Sequence, residues 1–231
     1  MHDLEHGTET VFERNAQRPV WSGDGAYIAF WKRDGQVYRK PVNGTGQEEP
    51  LGPKAAVRFL SDWSSDGRYL IEETRPDAKT GRDIWVVPLF GDKTPYPLLH
   101  SEADEFGAAL TPNGRWLAYV SNESKRNEIY VVSFPNSGKP MEISTGGGDR
   151  PVWSRDGEEL YFIGPGQKMM AVEIQSSPTF DYSVPKPLFD AKVGGALFDV
   201  ARNGRFLISA GAARGAAAMH VTINWPTELK K

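Results

Sequence analysis

The chain has 231 residues, 39% of them hydrophobic, with 24 Gly, 17 Pro, seven Trp, no Cys and a formal net charge of −3. It is long and apolar enough to bury a core, which excludes wholesale disorder. Without Cys it forms no disulfide, zinc–thiolate site, iron–sulfur cluster or cysteine nucleophile. The slightly acidic balance (pI ≈ 5.9) argues against a duplex nucleic-acid partner, and the lack of an 18-residue apolar run predicts no membrane span.

The first ten residues, MHDLEHGTET, carry neither a basic nor an apolar stretch and do not read as a signal peptide. The compartment stays open between the cytoplasm and, within a larger membrane protein, the far side of a membrane. TETVFER (8–14) reads as a short strand. After it, one phrase occurs five times: an apolar stretch, a Ser/Thr/Ala-x-Asp/Asn-Gly turn and a second apolar stretch. The copies are PVWSGDGAYIAF (19–30), SDWSSDGRYLIE (61–72), AALTPNGRWLAY (108–119), PVWSRDGEELYF (151–162) and LFDVARNGRFLI (197–208). Their turn glycines, Gly25, Gly67, Gly114, Gly157 and Gly204, are spaced by 42, 47, 43 and 47 residues.

Each copy is followed by a period-2 run rich in Val, Ile, Tyr and Trp, which reads as a strand: QVYRKPV (36–42), DIWVVPLF (83–90), EIYVVSF (128–134), MMAVEI (169–174) and MHVTIN (219–224). Gly/Pro-rich stretches come next, then weaker strands beginning at 95, 140 and 186. Helical periodicity is absent, and only the Ala-rich segment 211–218 offers a helical turn. Four-stranded units of about 40–50 residues, repeated, predict an all-β β-propeller. A single meander exposes its edges and cannot bury both faces, whereas radial stacking buries face on face. Five blades are expected in one domain (1–231), with repeats starting near 19, 61, 108, 151 and 197. Six are possible if a blade lies outside this chain. The last repeat stops after its third strand, so residues 8–13 are expected to supply its outer strand and close the ring.

The W-S-x-D-G phrases at 21–25, 63–67 and 153–157 resemble the WD40-like repeats of TolB-type propellers. The stretches DIWVVPLFGDKTPYPLL (83–99), GRWLAYVSNESKRNEIYVVSFP (114–135), STGGGDRPVW (144–153) and the tail VTINWPTELKK are similar to one bacterial subgroup. In that subgroup the propeller is fused C-terminally to serine/threonine protein kinases or to DNA-binding regulators, or stands alone. The resemblance implies a sensory or docking module of a bacterial signalling system. This sequence departs from the subgroup in having no kinase or DNA-binding segment and in starting one blade late. Asn113 and Asn203 replace the turn Asp, and Leu110 and Val200 replace the Trp.

Most residues that invite a chemical reading have a structural one. Trp21, Trp63, Trp116 and Trp153 recur with the repeat and are expected to pack as wedges between sheets. Asp24, Asp66 and Asp156 sit singly in their turns and are expected to cap them, since a calcium loop needs denser oxygen ligands. His2, His6, His100 and His220 have no metal-ligand spacing, and no Gly-x-Ser-x-Gly elbow occurs. Gly146–Gly148 lacks the Lys-Ser/Thr and helix of a phosphate loop and reads as a tight crossover. The acid pairs Glu48/Glu49, Glu72/Glu73, Asp104/Glu105 and Glu158/Glu159 read as solvated.

The residues opening each inner strand remain: Gln17 and Arg18, Ser61 and Asp62, Phe106 and Gly107, Asp149 and Arg150, Phe198 and Asp199. In a propeller these rim the central channel, where loops on a rigid scaffold carry function. The expected function is therefore non-catalytic binding of a protein or peptide by a monomer, with no cofactor, metal or catalytic residue. Arg18, Asp62, Asp149, Arg150 and Asp199 are the candidate contacts. The alternative is a glycan hydrolase using channel carboxylates such as Asp62, Asp149 and Asp199, whose mechanism would need two of them about 5–10 Å apart.

Overall fold

The computed structural model describes residues 2–3, 8–9, 12–13, 15–43, 46–55, 58–76, 79–176, 179–191, 198–201, 203–209 and 219–222. Among them the only helical element is a 3-10 turn, Pro165–Gln167, and everything else regular is antiparallel β. The Ala-rich segment 211–218 lies outside the described residues. The chain divides into two compact units, Met1–Arg75 with Ile84–Pro97, and Pro76–Asp83 with Leu98–Lys231.

In the first unit, β1 (His2–Asp3) pairs with β2 (Thr8–Glu9). A four-stranded meander follows, β3 (Ala16–Trp21), β4 (Tyr27–Lys32), β5 (Val37–Pro41) and β6 (Glu49–Pro50), the strands adjacent in sequence order. A second meander repeats the plan with β7 (Arg58–Trp63), β8 (Tyr69–Thr74), β9 (Ile84–Pro88) and β10 (Tyr96–Leu99). The second unit holds a third meander, β11 (Glu105–Leu110), β12 (Trp116–Ser121), β13 (Glu128–Ser133) and β14 (Met141–Glu142). The fourth sheet is β15 (Asp149–Trp153), β16 (Glu159–Gly164) and β17 (Lys168–Gln175), with both β18 (Asp181–Tyr182) and β19 (Lys186–Asp190) paired to the long β17. The fifth, β20 (Phe198–Val200), β21 (Phe206–Ser209) and β22 (Met219–Thr222), shows three strands among the described residues.

The five repeated turns have the expected chemistry. Gly25, Gly67, Gly114, Gly157 and Gly204 all take φ between 65° and 76°, a region glycine adopts without steric cost. The preceding side chain caps the turn: Asp24 Oδ1 accepts the Ala26 N–H at 2.9 Å, Asp66 Oδ1 that of Arg68 at 3.0 Å and Asp156 Oδ1 that of Glu158 at 3.0 Å. Asn113 and Asn203 accept the equivalent N–H of Arg115 and Arg205. Ser22, Ser64 and Ser154 each donate a 2.6 Å hydrogen bond to the turn Asp. These bonds hold Asp24 and Asp156 below the usual carboxylate range.

Sheets pack face to face within each unit. Trp63 lies in a cluster that joins Ala29, Trp31 and Val37 of the first sheet to Leu70 and Val87 of the second. Trp153 does the same between Ala118, Val120 and Val131 of the third sheet and Leu160, Phe162 and Val172 of the fourth, and its Nε1 donates to Ala109 O at 3.0 Å. Trp116 packs beside that core, half-buried. Trp21 departs from the expected wedge, with 50% of its surface exposed. Trp63 and Trp153 each pack toward the sheet that precedes theirs in sequence, whereas Trp116 packs toward the one that follows, and β3 begins the first sheet of its unit.

Within the stretch 8–13 expected to close the ring, the pairing among the described residues is local. Thr8–Glu9 hydrogen-bonds to His2–Asp3, five to seven residues away, a short loop that costs little chain entropy to close. Phe12 and Glu13 lie instead against one face of the first sheet. Phe12 meets Phe30 edge-on at 6.4 Å, and Glu13 reaches Lys32 at 3.4 Å and Lys40 at 3.5 Å.

Candidate functional site

Every inner strand of the first four sheets carries a register shift near its start, between Gln17 and Val20, Leu60 and Asp62, Phe106 and Ala109, and Asp149 and Val152. A bulge of this kind re-aims the side chains around it. Arg18 (φ 51°), Gly107 (φ 66°) and Arg150 (φ 58°) occupy the same position of their bulges, all left-handed. Glycine suits that backbone, whereas a residue with a Cβ is strained there by on the order of 1 kcal/mol or more.

The five candidate residues fall on three register positions. Arg18 and Arg150 share the bulge, and Asp149 precedes it. Asp62 and Asp199 share a third position farther along their strands, immediately before Trp63 and Val200. Both do the same local work: each Oδ1 accepts the main-chain N–H of the following residue at 2.7 Å. Asp199 also meets Arg155 at 3.4 Å.

In the first unit, Arg18 donates to Glu73 Oε2 at 3.2 Å, and its guanidinium lies 5.3 Å from the Phe59 ring centre. Arg75 sits at the same distance from that ring. Ser61 Oγ donates to Glu73 Oε1 at 2.7 Å. In the second unit, the Arg150 side chain is 33% exposed and its Nε lies 3.9 Å from Asp149 Oδ2. Arg82 clamps Asp104 through Nε (2.9 Å) and a terminal nitrogen (2.7 Å), and stacks 3.5 Å from the Phe106 ring centre. Phe59 and Phe106 are equivalent in the repeat, so both units present an aromatic ring under an arginine at the start of an inner strand.

Three of the paired acids correct the solvated reading, whereas Glu49 and Glu158 are exposed as expected. Glu72 and Glu73 are both 2% exposed and Glu105 is 4% exposed. Burial pushes Glu72 up to about 7; Arg58 opposes it from 3.2 Å, but that contact lacks hydrogen-bond geometry. Burial likewise raises Glu105 to about 6 against a hydrogen bond from Ser101 Oγ, with the charges of Asp83 and Glu123 adding to the rise. Sequence spacing could not show this, because an acid in a β strand is buried only when a neighbouring sheet covers its face.

Other candidates have structural partners. The Gly147 N–H donates to both oxygens of the Glu128 carboxylate, at 2.9 and 2.8 Å, so it faces a buried anion of the protein itself. A Cβ at Gly148 would stand 2.6 Å from Ile129 Cγ1, which is why this crossover needs glycine. His100 Nδ1 lies 3.1 Å from Asp83 Oδ1. His6 and the side chains of His2 and His220 fall outside the described residues. Among those described, no group of three His, Cys, Asp or Glu converges as a metal site, and no helix is long and apolar enough to cross a membrane.

No family model matches the sequence. Among solved structures, a putative TolB from Agrobacterium tumefaciens aligns with a TM-score of 0.64 at 19% identity, over 86% of this chain and 71% of that one. TolB from Acinetobacter baumannii gives 0.63 at 16% identity, over 90% of this chain and 54% of the other. An oligogalacturonate lyase in complex with manganese gives 0.67 at 14% identity, over 98% and 67%. Identities this low bear on the fold alone, and the same architecture serves proteins of different activity. The chain has the TolB-type β-propeller fold.

Proposed function

We propose that this chain is a non-catalytic propeller module that binds a protein or peptide partner through residues at the starts of its inner strands, chiefly Asp149 and Arg150 of the second unit, with Arg18 holding the equivalent position in the first. The observation that carries the reading is the pair of left-handed arginines. At the bulge position where the third repeat has Gly107, the first and fourth repeats hold Arg18 and Arg150 against the backbone preference. A position that served only to bend the strand would be better filled by glycine. Arginine there displays a planar, fixed cation of the kind that anchors carboxylates at protein interfaces. A hydrolytic role for Asp62 and Asp199 has less support, since each carboxylate is engaged with the main-chain N–H beside it.

The test is cross-linked affinity capture with the full chain and with Arg150→Gly. Glycine fits φ 58°, so the melting temperature is expected to hold or rise while the captured partner is lost. An unchanged set of captured proteins would overturn the assignment. So would release of reducing sugar from a polysaccharide panel that is abolished by Asp149→Asn.

A further inference from the structure

At the turn end of the third sheet, away from the inner-strand starts, the second unit contains an open pocket of about 570 Å³, within the size range of ligand sites. Its apolar lining is Trp116, Phe134, Met141 and Phe180, with the Trp116 and Phe180 rings 4.5 Å apart. Two cations frame it, Arg115 just after the Gly114 turn and Lys139 in the loop between β13 and β14. Both are exposed, and neither makes an ion pair among the described residues, whereas Arg18, Arg39, Arg58, Arg82, Arg126 and Arg155 all do.

We infer that this pocket binds an acidic peptide segment carrying an aromatic side chain: the ring inserts beside Trp116 and Phe180, and flanking carboxylates pair with Arg115 and Lys139. Charge complementarity selects the sign. Two unpaired cations beside an aromatic floor, on a chain whose formal net charge is −3, favour an anionic occupant over a neutral or basic one. Openness selects a peptide over a small metabolite. Residues 136–139 and Thr179 are exposed, so the pocket has a side along which a chain enters and leaves. Small-molecule sites instead enclose most of the ligand surface. The inference is independent of the inner-strand surface, because none of its residues belongs to that surface.

The probe is the capped peptide Ac-Glu-Glu-Phe-Glu-Glu-amide, titrated into the full chain and followed by the indole N–H resonances, with that of Trp116 assigned by Trp116→Phe. The Trp116 signal is expected to move, with affinity falling as salt rises. Arg115→Gln with Lys139→Gln is expected to weaken binding about tenfold, the scale of two solvent-screened ion pairs. Phe180→Ala should weaken it separately, with the other indole resonances unmoved as evidence of an intact fold. Equal binding of the all-glutamine counterpart, or shifts confined to other tryptophans, would overturn the site. Phenylacetate binding as tightly as the peptide would overturn the assignment to a peptide.

Discussion

Gln36 and Asp83 stand one residue before the third strand of their repeat and Glu128 opens it, and all three are buried. Each uses its burial to fasten the chain. Gln36 Nε2 donates to Val37 O and Gly52 O, and Asp83 accepts from Thr80 Oγ1 and faces His100. Glu128, with no exposed surface, is the most committed: Ser144 Oγ donates at 2.5 Å, the Gly147 N–H at 2.8 Å and Arg126 Nε at 2.8 Å. A buried anion is tolerated only when its lone pairs are filled in this way, and removing it strands the donors. Glu128→Ala is therefore expected to destabilise the unit holding β13 by roughly 3 kcal/mol, read as a shift in urea midpoint. Glu128→Gln should lie between, because its amide N–H₂ confronts donors. A midpoint within experimental error of the parent for Glu128→Ala would show that the fastening contributes nothing.

At the scale of elements, the first sheet presents a face to the N-terminal stretch. Phe30 stacks on Tyr38 at 6.2 Å, Lys32 Nζ lies over both rings, and Lys40 lies over Phe12. Although burial works the other way, Lys32 and Lys40 hold the Glu13 carboxyl below its usual value. Phe12→Ala should thus lower the stability of this unit by about 1–2 kcal/mol, part of the cost of deleting a fully buried Phe, and a thermal melt checks it. An unchanged melt would mean the segment merely rests on the sheet. This face also marks where sequence reading stops. The turn caps were legible because Asp24 and Ala26 are neighbours in the chain, and the strands because their period is local. Trp21 and Trp63 stand in the same phrase, yet one is 50% exposed and the other 7%, because cover comes from a different element. The bulges hid the register that separates Arg18 and Arg150 from Asp62 and Asp199, since each inserts a residue that spacing alone cannot assign. The acids of β8 and β11 read as solvated for the same reason as Trp21 read as buried.

Across the whole molecule those hidden acids set the pH response. Glu72 in the first unit and Glu105 in the second have folded values of about 7 and about 6, against an ordinary 4.5. In the window between, the folded state binds more protons than the unfolded one, so stability falls as pH rises. The slope approaches about 1.4 kcal/mol per pH unit for each group while only the folded form is protonated. Glu13, Asp104 and Asp156 act in the opposite sense, each held below its ordinary value. Their contribution is present above that value and lost as pH falls through the folded one. Stability is therefore expected to peak near pH 4.5, to fall between about pH 4.5 and 7 and to level off above that. Calorimetric melts from pH 4 to 8 check this. Glu72→Gln and Glu105→Gln should each flatten part of the decline between about pH 4.5 and 7, and if the two units melt separately, each should flatten only the transition of its own unit. A melting temperature that stays level or climbs from pH 5.5 to 8 would show that neither carboxylate is desolvated in solution as it is in the fold.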